Sequence, residues 1–241
     1  MKKLSNKIII NRDLFIDFIK KMTLNCDINE VVLTFDDIGI TSKLKNDANT
    51  ILIEGHLKNN FIEKYISPNI SFGIININKV LTILKTFNEQ LAITIDNINN
   101  NIIFSSGNKK IKLNIIDITN IKNNITKIPE FEYLTNIKIP ISYLKSIQNV
   151  CNTYNTEIII SLNNNKLTTD VNIGLNEIYT DSLDINDNNQ YNIKFGIPLL
   201  NVISTIDDTI NLSINNNKPA KIILNKESYI IKYIIAPLAG E

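Results

Sequence analysis

Apolar residues along this chain repeat at two spacings, and the order of those spacings runs through twice. After a short β-branched run, Lys7–Asn11, residues 12–24 carry Leu14, Phe15, Phe18, Ile19 and Met22 at helical spacing. Strand patterns follow at 30–35, Gly39–Lys45 and 50–58, then a loop closed by Ser67-Pro68. An extended piece through Phe72 leads into a second predicted helix, 76–88, with Ile77, Val80, Leu81, Leu84 and Phe87 in one stripe. Strands at 91–95, 101–104 and 110–116 complete the half. The last of these sets Ile111, Leu113 and Ile115 against Lys110, Lys112 and Asn114, the alternation of a strand with one buried face. Ser106-Gly107-Asn108 is its hairpin turn.

The second half repeats this order: a strand near 136–139, a helix over 142–154 with Leu144, Ile147, Val150 and Cys151 on one side, and strands at 157–162, 166–171 and 177–183. Tyr191–Phe195, a helix at 198–206 and strands at Ile210–Ile214, 220–224 and Tyr229–Ile235 close it. A local motif marks the repeat, since Phe72-Gly73-Ile74 with Asn78 recurs as Phe195-Gly196-Ile197 with Asn201, 123 positions on. Glycine suits a strand-to-helix junction, where the chain bends without a Cβ clash. The offset is too long for a solenoid repeat of roughly 20–50 residues and predicts a duplicated domain. Strands outnumber helices, so the expected fold class is α+β, with two helices packed on antiparallel sheets in each half. Residues 117–135 do not repeat, which divides the chain into an N-terminal domain (1–117), a connector (118–135) and a C-terminal domain (136–241).

Composition removes several functions. No apolar run approaches the roughly 20 residues of a membrane span, and polar residues Asn6, Lys7, Asn11, Arg12 and Asp13 argue against a signal peptide. Cys26 and Cys151 form no metal-ligand spacing and fit reduced thiols of an intracellular protein. His56, the single histidine, has no partner at ligand spacing, and Asp36-Asp37 and Asp207-Asp208 suit turns, so no metal or cofactor is expected. With 7 glycines and no phosphate-loop or nucleophile motif, the chain does not read as an enzyme. Its net charge is +1, with 15 basic against 12 acidic residues up to position 120 and 10 against 12 afterwards. A nucleic-acid partner must then meet local lysines rather than bulk charge.

Three stretches carry a family resemblance. They are Ile128-Pro129-Glu130 with Glu132-Tyr133 in the connector, Phe195 with Leu200-Asn201, and the closing Lys232-Tyr233-Ile234-Ile235-Ala236-Pro237. With the duplication, they resemble a sliding clamp of the proliferating-cell-nuclear-antigen (PCNA) type over about residues 5–238. The resemblance implies a duplicated DNA clamp fold that forms a homotrimeric ring around double-stranded DNA. It further implies a processivity factor, placed on DNA by a clamp-loader ATPase, that tethers DNA polymerase and other proteins carrying clamp-binding peptides. Such a protein works inside the cell at sites of DNA replication and has no membrane partner. A clamp-fold DNA-binding or transcription factor acting as a monomer or heterotrimer is the alternative, although a monomer holding DNA by charge alone should be more basic.

Site residues follow from that resemblance. Lys20, Lys21, Lys79, Lys85 and Lys145 lie opposite the apolar helix stripes and are expected to face DNA, whereas the fourth helix has no lysine and departs from a basic lining. A docking pocket for client peptides falls on Lys45, Asn49, Leu52, Ile128, Pro129, Tyr133, Pro219, Ile234 and Ala236. There Lys45, Asn49 and Ile234 replace the family's methionine, histidine and aromatic. Subunit contacts fall on Lys110, Ile111, Leu113 and Ile115 of one copy and Glu177, Tyr179 and Leu183 of the next.

Overall fold

The computed structural model describes residues 7–64, 69–96, 99–154, 156–187, 189–216 and 218–238. Ser67-Pro68 lies outside them. The first half runs β1 (Lys7–Asn11), α1 (Arg12–Met22), β2 (Glu30–Asp36), β3 (Gly39–Lys45), β4 (Ile51–Lys58), β5 (Ile70–Ile75), α2 (Ile77–Leu84), β6 (Gln90–Asp96), β7 (Asn101–Ser106) and β8 (Lys109–Asn114). The second runs β9 (Thr135–Ile139), α3 (Ile141–Tyr154), β10 (Ile158–Asn163), β11 (Lys166–Gly174), β12 (Glu177–Asp184), β13 (Tyr191–Phe195), α4 (Ile197–Thr205), β14 (Ile210–Ile214), β15 (Ala220–Asn225) and β16 (Tyr229–Ile235). Strand order is duplicated along with element order. β1-β6-β7-β8 is matched by β9-β14-β15-β16, and β5-β2-β3-β4 by β13-β10-β11-β12. The duplicated α+β architecture is therefore present in connectivity, and its strands pair antiparallel.

The chain divides into two compact units, with the main crossing between Ile128 and Pro129; Lys226–Ile231 count with the first unit and Ala48–Leu52 with the second. In the first, α1 starts where Asn11 Oδ1 accepts from the Leu14 amide at 3.0 Å, which satisfies one of the helix's unpaired donors. Its stripe places Phe15 against Phe104 of β7 at 5.9 Å and Phe18 against Tyr229 at 5.8 Å. Phe35 and Phe72 stack across β2 and β5 at 5.5 Å. In the second unit, Tyr143, Leu144 and Ile147 of α3 and Leu199 and Ile203 of α4 are buried, and α3 packs beside α4.

Both predicted helices of the first half are shorter in the structure. Leu24, Asn25 and Cys26 take positive φ of 49°, 57° and 77°, so α1 stops at Met22. Asn76 is left-handed at φ 56°, which delays α2 to Ile77, and α2 ends at Leu84 although Phe87 remains buried. The Asn164-Asn165 turn between β10 and β11 has φ of 49° and 60°, the geometry asparagine tolerates best among non-glycine residues.

The Phe-Gly-Ile repeat corrects a sequence expectation. Gly196 does cap α4, but Gly73 sits inside β5, two residues before that strand ends. There it exchanges backbone hydrogen bonds with Ile116 at 2.8 and 3.1 Å, and a Cβ would come within 2.4 Å of Ile121 Cγ1. Glycine is needed for close approach of the segment after β8, not for a bend. That segment is also pinned by buried Asn123, whose backbone N–H donates to Glu30 Oε1 (2.6 Å) and whose amide donates to Lys45 O (2.9 Å) and Asp47 Oδ1 (2.8 Å). What reads as a polar linker is fixed in place up to Asn124.

Gly73→Ala is expected to lower stability by about 1–3 kcal/mol through overpacking, or roughly 2–10 °C in Tm for a chain of this size. Thermal unfolding followed by circular dichroism checks it, and Ile121→Val in the same chain should recover part of the loss.

Candidate functional site

Among the described residues six strands end the three sheets, and β8 and β12 are the two whose outer residues carry opposite charge. β8 closes the order β1-β6-β7-β8 and β12 closes β13-β10-β11-β12, so among the described residues each leaves one row of backbone donors and acceptors without a strand partner. On β8, Ile111 and Leu113 were expected on a buried face and are only half-buried, because no further strand covers them. Beside them opens a hollow of about 300 Å³, walled on the other side by Ile75, Lys79 and Ile83 of the β5–α2 region. Ile115 lies just past β8, half-buried, its amide donating to Asn100 O at 2.9 Å.

The two edges differ in charge. β8 exposes Lys109, Lys110 and Lys112, whereas β12 carries Glu177, Asp181 and Asp184. Alternation sets the faces. Lys109 Nζ donates to Thr86 O beyond α2, which puts Lys109, Ile111 and Leu113 on the helix side and Lys110 and Lys112 on the other. On β12, Asp181 Oδ2 accepts from Ser146 Oγ of α3 at 3.1 Å, so Tyr179, Asp181 and Leu183 share the helix side. Tyr179 and Leu183 are half-buried and Glu177 is exposed.

The five helix lysines do not form one set. Lys85 and Lys145 are exposed, and Lys20 is half-buried. Lys20 and Lys85 both lie close enough to Cys26 to favour its thiolate, but burial is the larger effect and raises the thiol's pKa. Lys79 is exposed and lines the hollow beside β8. Lys21 corrects the expectation of a solvent face, for it is 4% exposed and its ammonium holds Asp17 Oδ1 at 2.6 Å. The other Asp17 oxygen accepts from the Tyr229 hydroxyl at 2.5 Å. Asp17, which periodicity does not single out, is thus the anchor of α1. α4 exposes Ile197 and Ser204 and bears no charge.

In the second unit a surface gathers around Tyr133. Ala236 N donates to Thr50 O at 2.9 Å, which ties the C-terminal tail beside exposed Asn49 and half-buried Leu52. Pro219 and Ala236 are half-buried and Pro129 is exposed. Ile234, expected in the docking pocket, is 3% exposed and a core residue of β16, with Tyr233 and Ile235 on either side buried too. In the first unit Ile128 is likewise packed away at 7% exposure, and Lys45 is half-buried, its backbone paired with Asn123. Phe131 meets Tyr133 edge-on at 6.4 Å, and Lys221 Nζ lies 4.4 Å from the Tyr133 ring centroid. The Tyr133 hydroxyl is buried without a hydrogen-bond partner, and burial pushes its pKa up to about 12. Phe131 and Lys221 were missed from sequence; the alternation of β15, which turns Lys221 away from buried Ala220 and Ile222, was the available signal.

The remaining polar candidates are structural. His56 Nε2 lies 3.0 Å from Ile38 O, and Asp36 Oδ1 accepts from the Ile38 and Gly39 amides in the β2–β3 turn.

Solved structures match this arrangement end to end. A. fulgidus PCNA, solved with the C-terminal region of FEN-1 bound, aligns with TM-score 0.84 and 14% identity, over 98% of this chain and 99% of that one. The chain has the fold of a PCNA-type sliding clamp. Entamoeba histolytica PCNA aligns with TM-score 0.82 and 18% identity over 98% and 100% of the two chains. A chain of the Sulfolobus tokodaii PCNA2–PCNA3 complex gives 0.73 and 15% over 97% and 100%. No protein-family model and no curated protein matches the sequence. The PCNA fold thus spans both units while nearly all side chains differ, and no helix among the described residues is long and apolar enough to cross a membrane.

Lys21→Met should cost about 1–3 kcal/mol, since it strips a cation from a part-buried carboxylate, while Lys145→Met should stay within about 0.5 kcal/mol. Urea unfolding of the two variants separates the structural lysine from the surface one.

Proposed function

We propose that this chain is a DNA sliding clamp, closing as a homotrimer around duplex DNA and tethering DNA polymerase and other replication enzymes. The observation that carries the proposal is the pair of uncovered edge strands, one basic and one acidic, each with a half-buried apolar face. An exposed edge is a pairing hazard unless it is used, and head-to-tail pairing of two different edges closes into a ring when the rotation allows. Antiparallel pairing of β8 with β12 of the next copy, helices on a common side, sets Ile111 and Leu113 near that copy's Tyr179 and Leu183. Lys110 and Lys112 then approach Asp184, and the complementary signs favour this partner over a like edge.

A closed ring retains DNA by topology, so weak phosphate contacts from Lys20, Lys85 and Lys145 suffice and sliding is unhindered. In this reading a separate ATPase loads the ring, clients dock at the Tyr133 surface, and the protein works inside the cell at sites of DNA replication. The alternative is a heteromeric clamp, favoured by the PCNA2–PCNA3 assembly of one structural neighbour.

Native mass over a concentration series tests this. The homotrimer has three times the 27.4 kDa of the chain, and Lys112→Pro, which removes a donor from the free row of β8 rather than from its ladder with β7, should return it to monomer with the fold retained. A wild-type monomer at all micromolar concentrations overturns the homotrimer. Charge reversal at Lys20 and Lys85 should lower processivity in primer extension without changing the native mass, whereas reversal at Lys166 should not.

A further inference from the structure

The Tyr133 surface has a feature that apolar docking does not use. Lys221 stands over the Tyr133 ring, within electrostatic reach of another cation, Lys232. Burial and that repulsion both lower its pKa, and among the described residues no carboxylate pairs with it. Glu130 and Glu132 are exposed on the connector nearby in sequence, but Glu132 is engaged through its backbone carbonyl, which accepts from Asn215 Nδ2 at 3.1 Å. The Tyr133 hydroxyl is buried, so the ring face and not the hydroxyl meets the ammonium. One charged and partly desolvated donor therefore stands at this surface without a carboxylate among the described residues to receive it. A buried polar group left unpaired is costly, and an ammonium regains most from a charged acceptor. Cation–π stacking on Tyr133 holds the ammonium in place without consuming its hydrogens.

We propose that Lys221, held over the Tyr133 ring, selects client peptides that carry an acidic side chain beside their apolar anchors. The inference rests on the reading that clients dock at Tyr133, and it assigns the specificity of that surface. Lys221 is a specificity residue here and the anchors supply the common affinity. The acceptor is a side-chain carboxylate within the peptide, not a free anion or a chain terminus.

The test uses three fluorescein-labelled synthetic peptides with amidated C-termini. They share one aliphatic and two aromatic anchors and differ only in Glu, Gln or Lys at the flanking position, placed in turn on either side of the anchors. Anisotropy titrations against the intact wild-type protein should show the Glu peptide binding about fivefold to tenfold tighter than the Lys peptide at low salt. The gap should narrow as salt rises. Lys221→Glu should reverse the order, Lys221→Gln should abolish it, and Tyr133→Phe, which keeps a ring under the ammonium, should preserve it. Native mass and Tm confirm that each variant is folded. Equal binding of the Glu and Lys peptides, or an unchanged order in Lys221→Glu, overturns this inference and leaves docking at Tyr133 standing. If no peptide binds wild type, while the same peptides bind A. fulgidus PCNA, docking at Tyr133 falls and the inference with it.

Discussion

A β-sheet must stop somewhere, and its last strand keeps half of its backbone hydrogen-bonding capacity unspent. Among the described residues of this chain six strands meet that constraint, and two of them, β8 and β12, are not protected in the usual ways. Neither holds a proline, and among the described residues no strand covers either edge. The only bulge on β11–β12 lies at Asn172/Gly174, at the hairpin end, and leaves the rest of β12 regular. The apolar residues beside the free row, Ile111, Leu113, Tyr179 and Leu183, are neither buried nor replaced by polar ones. An aggregation-prone edge is tolerable when a specific partner outcompetes random ones, and in the proposed ring opposite charge on the two edges would supply that discrimination.

The fold was legible in the sequence because it depends on periodicity, which survives almost any change of side-chain identity. All four helices and the order of elements along the chain could be read from apolar spacing, and the same fold recurs in structures sharing 14–18% identity. What periodicity cannot see is the direction of a polar side chain at a stripe's margin. Lys21 follows Lys20 and looks equivalent, but one step of 100° turns it toward Asp17 and into the interior. Gly73 looks like the twin of Gly196, yet its cause is Ile121, 48 positions away, a contact no local pattern reports. Ile234 was placed by resemblance alone, and at the C-terminal end of β16, where Tyr233, Ile234 and Ile235 are all buried, alternation offers no check on which side is open.

The near-zero net charge is less of an obstacle to DNA binding than it first suggests. Several lysines are already committed within the protein: Lys21 to Asp17, Lys43 to Glu54, Lys122 to Asp47 and Lys194 to Glu157. The uncharged α4 further limits how much of any DNA-facing surface could be basic. Such a protein could not hold duplex DNA by counterion release alone, since each lost phosphate contact removes part of a steep salt-dependent term. Encirclement removes that requirement, because escape then requires opening the ring rather than breaking phosphate contacts.

The three proposed interactions accordingly differ in what salt can reach. Ring closure combines a row of backbone hydrogen bonds with apolar side chains, and the charges on β8 and β12 choose the partner more than they hold it. Retention on DNA follows from closure and inherits its resistance. Peptide choice at Lys221 rests on a single ion pair at the surface, where screening over about 10 Å at 0.1 M ionic strength acts directly. Apolar anchors hold a client whatever its charge, so rising salt should erase the distinction between clients before it releases any of them. The physical hierarchy is backbone pairing first, apolar anchoring second and charge selection last.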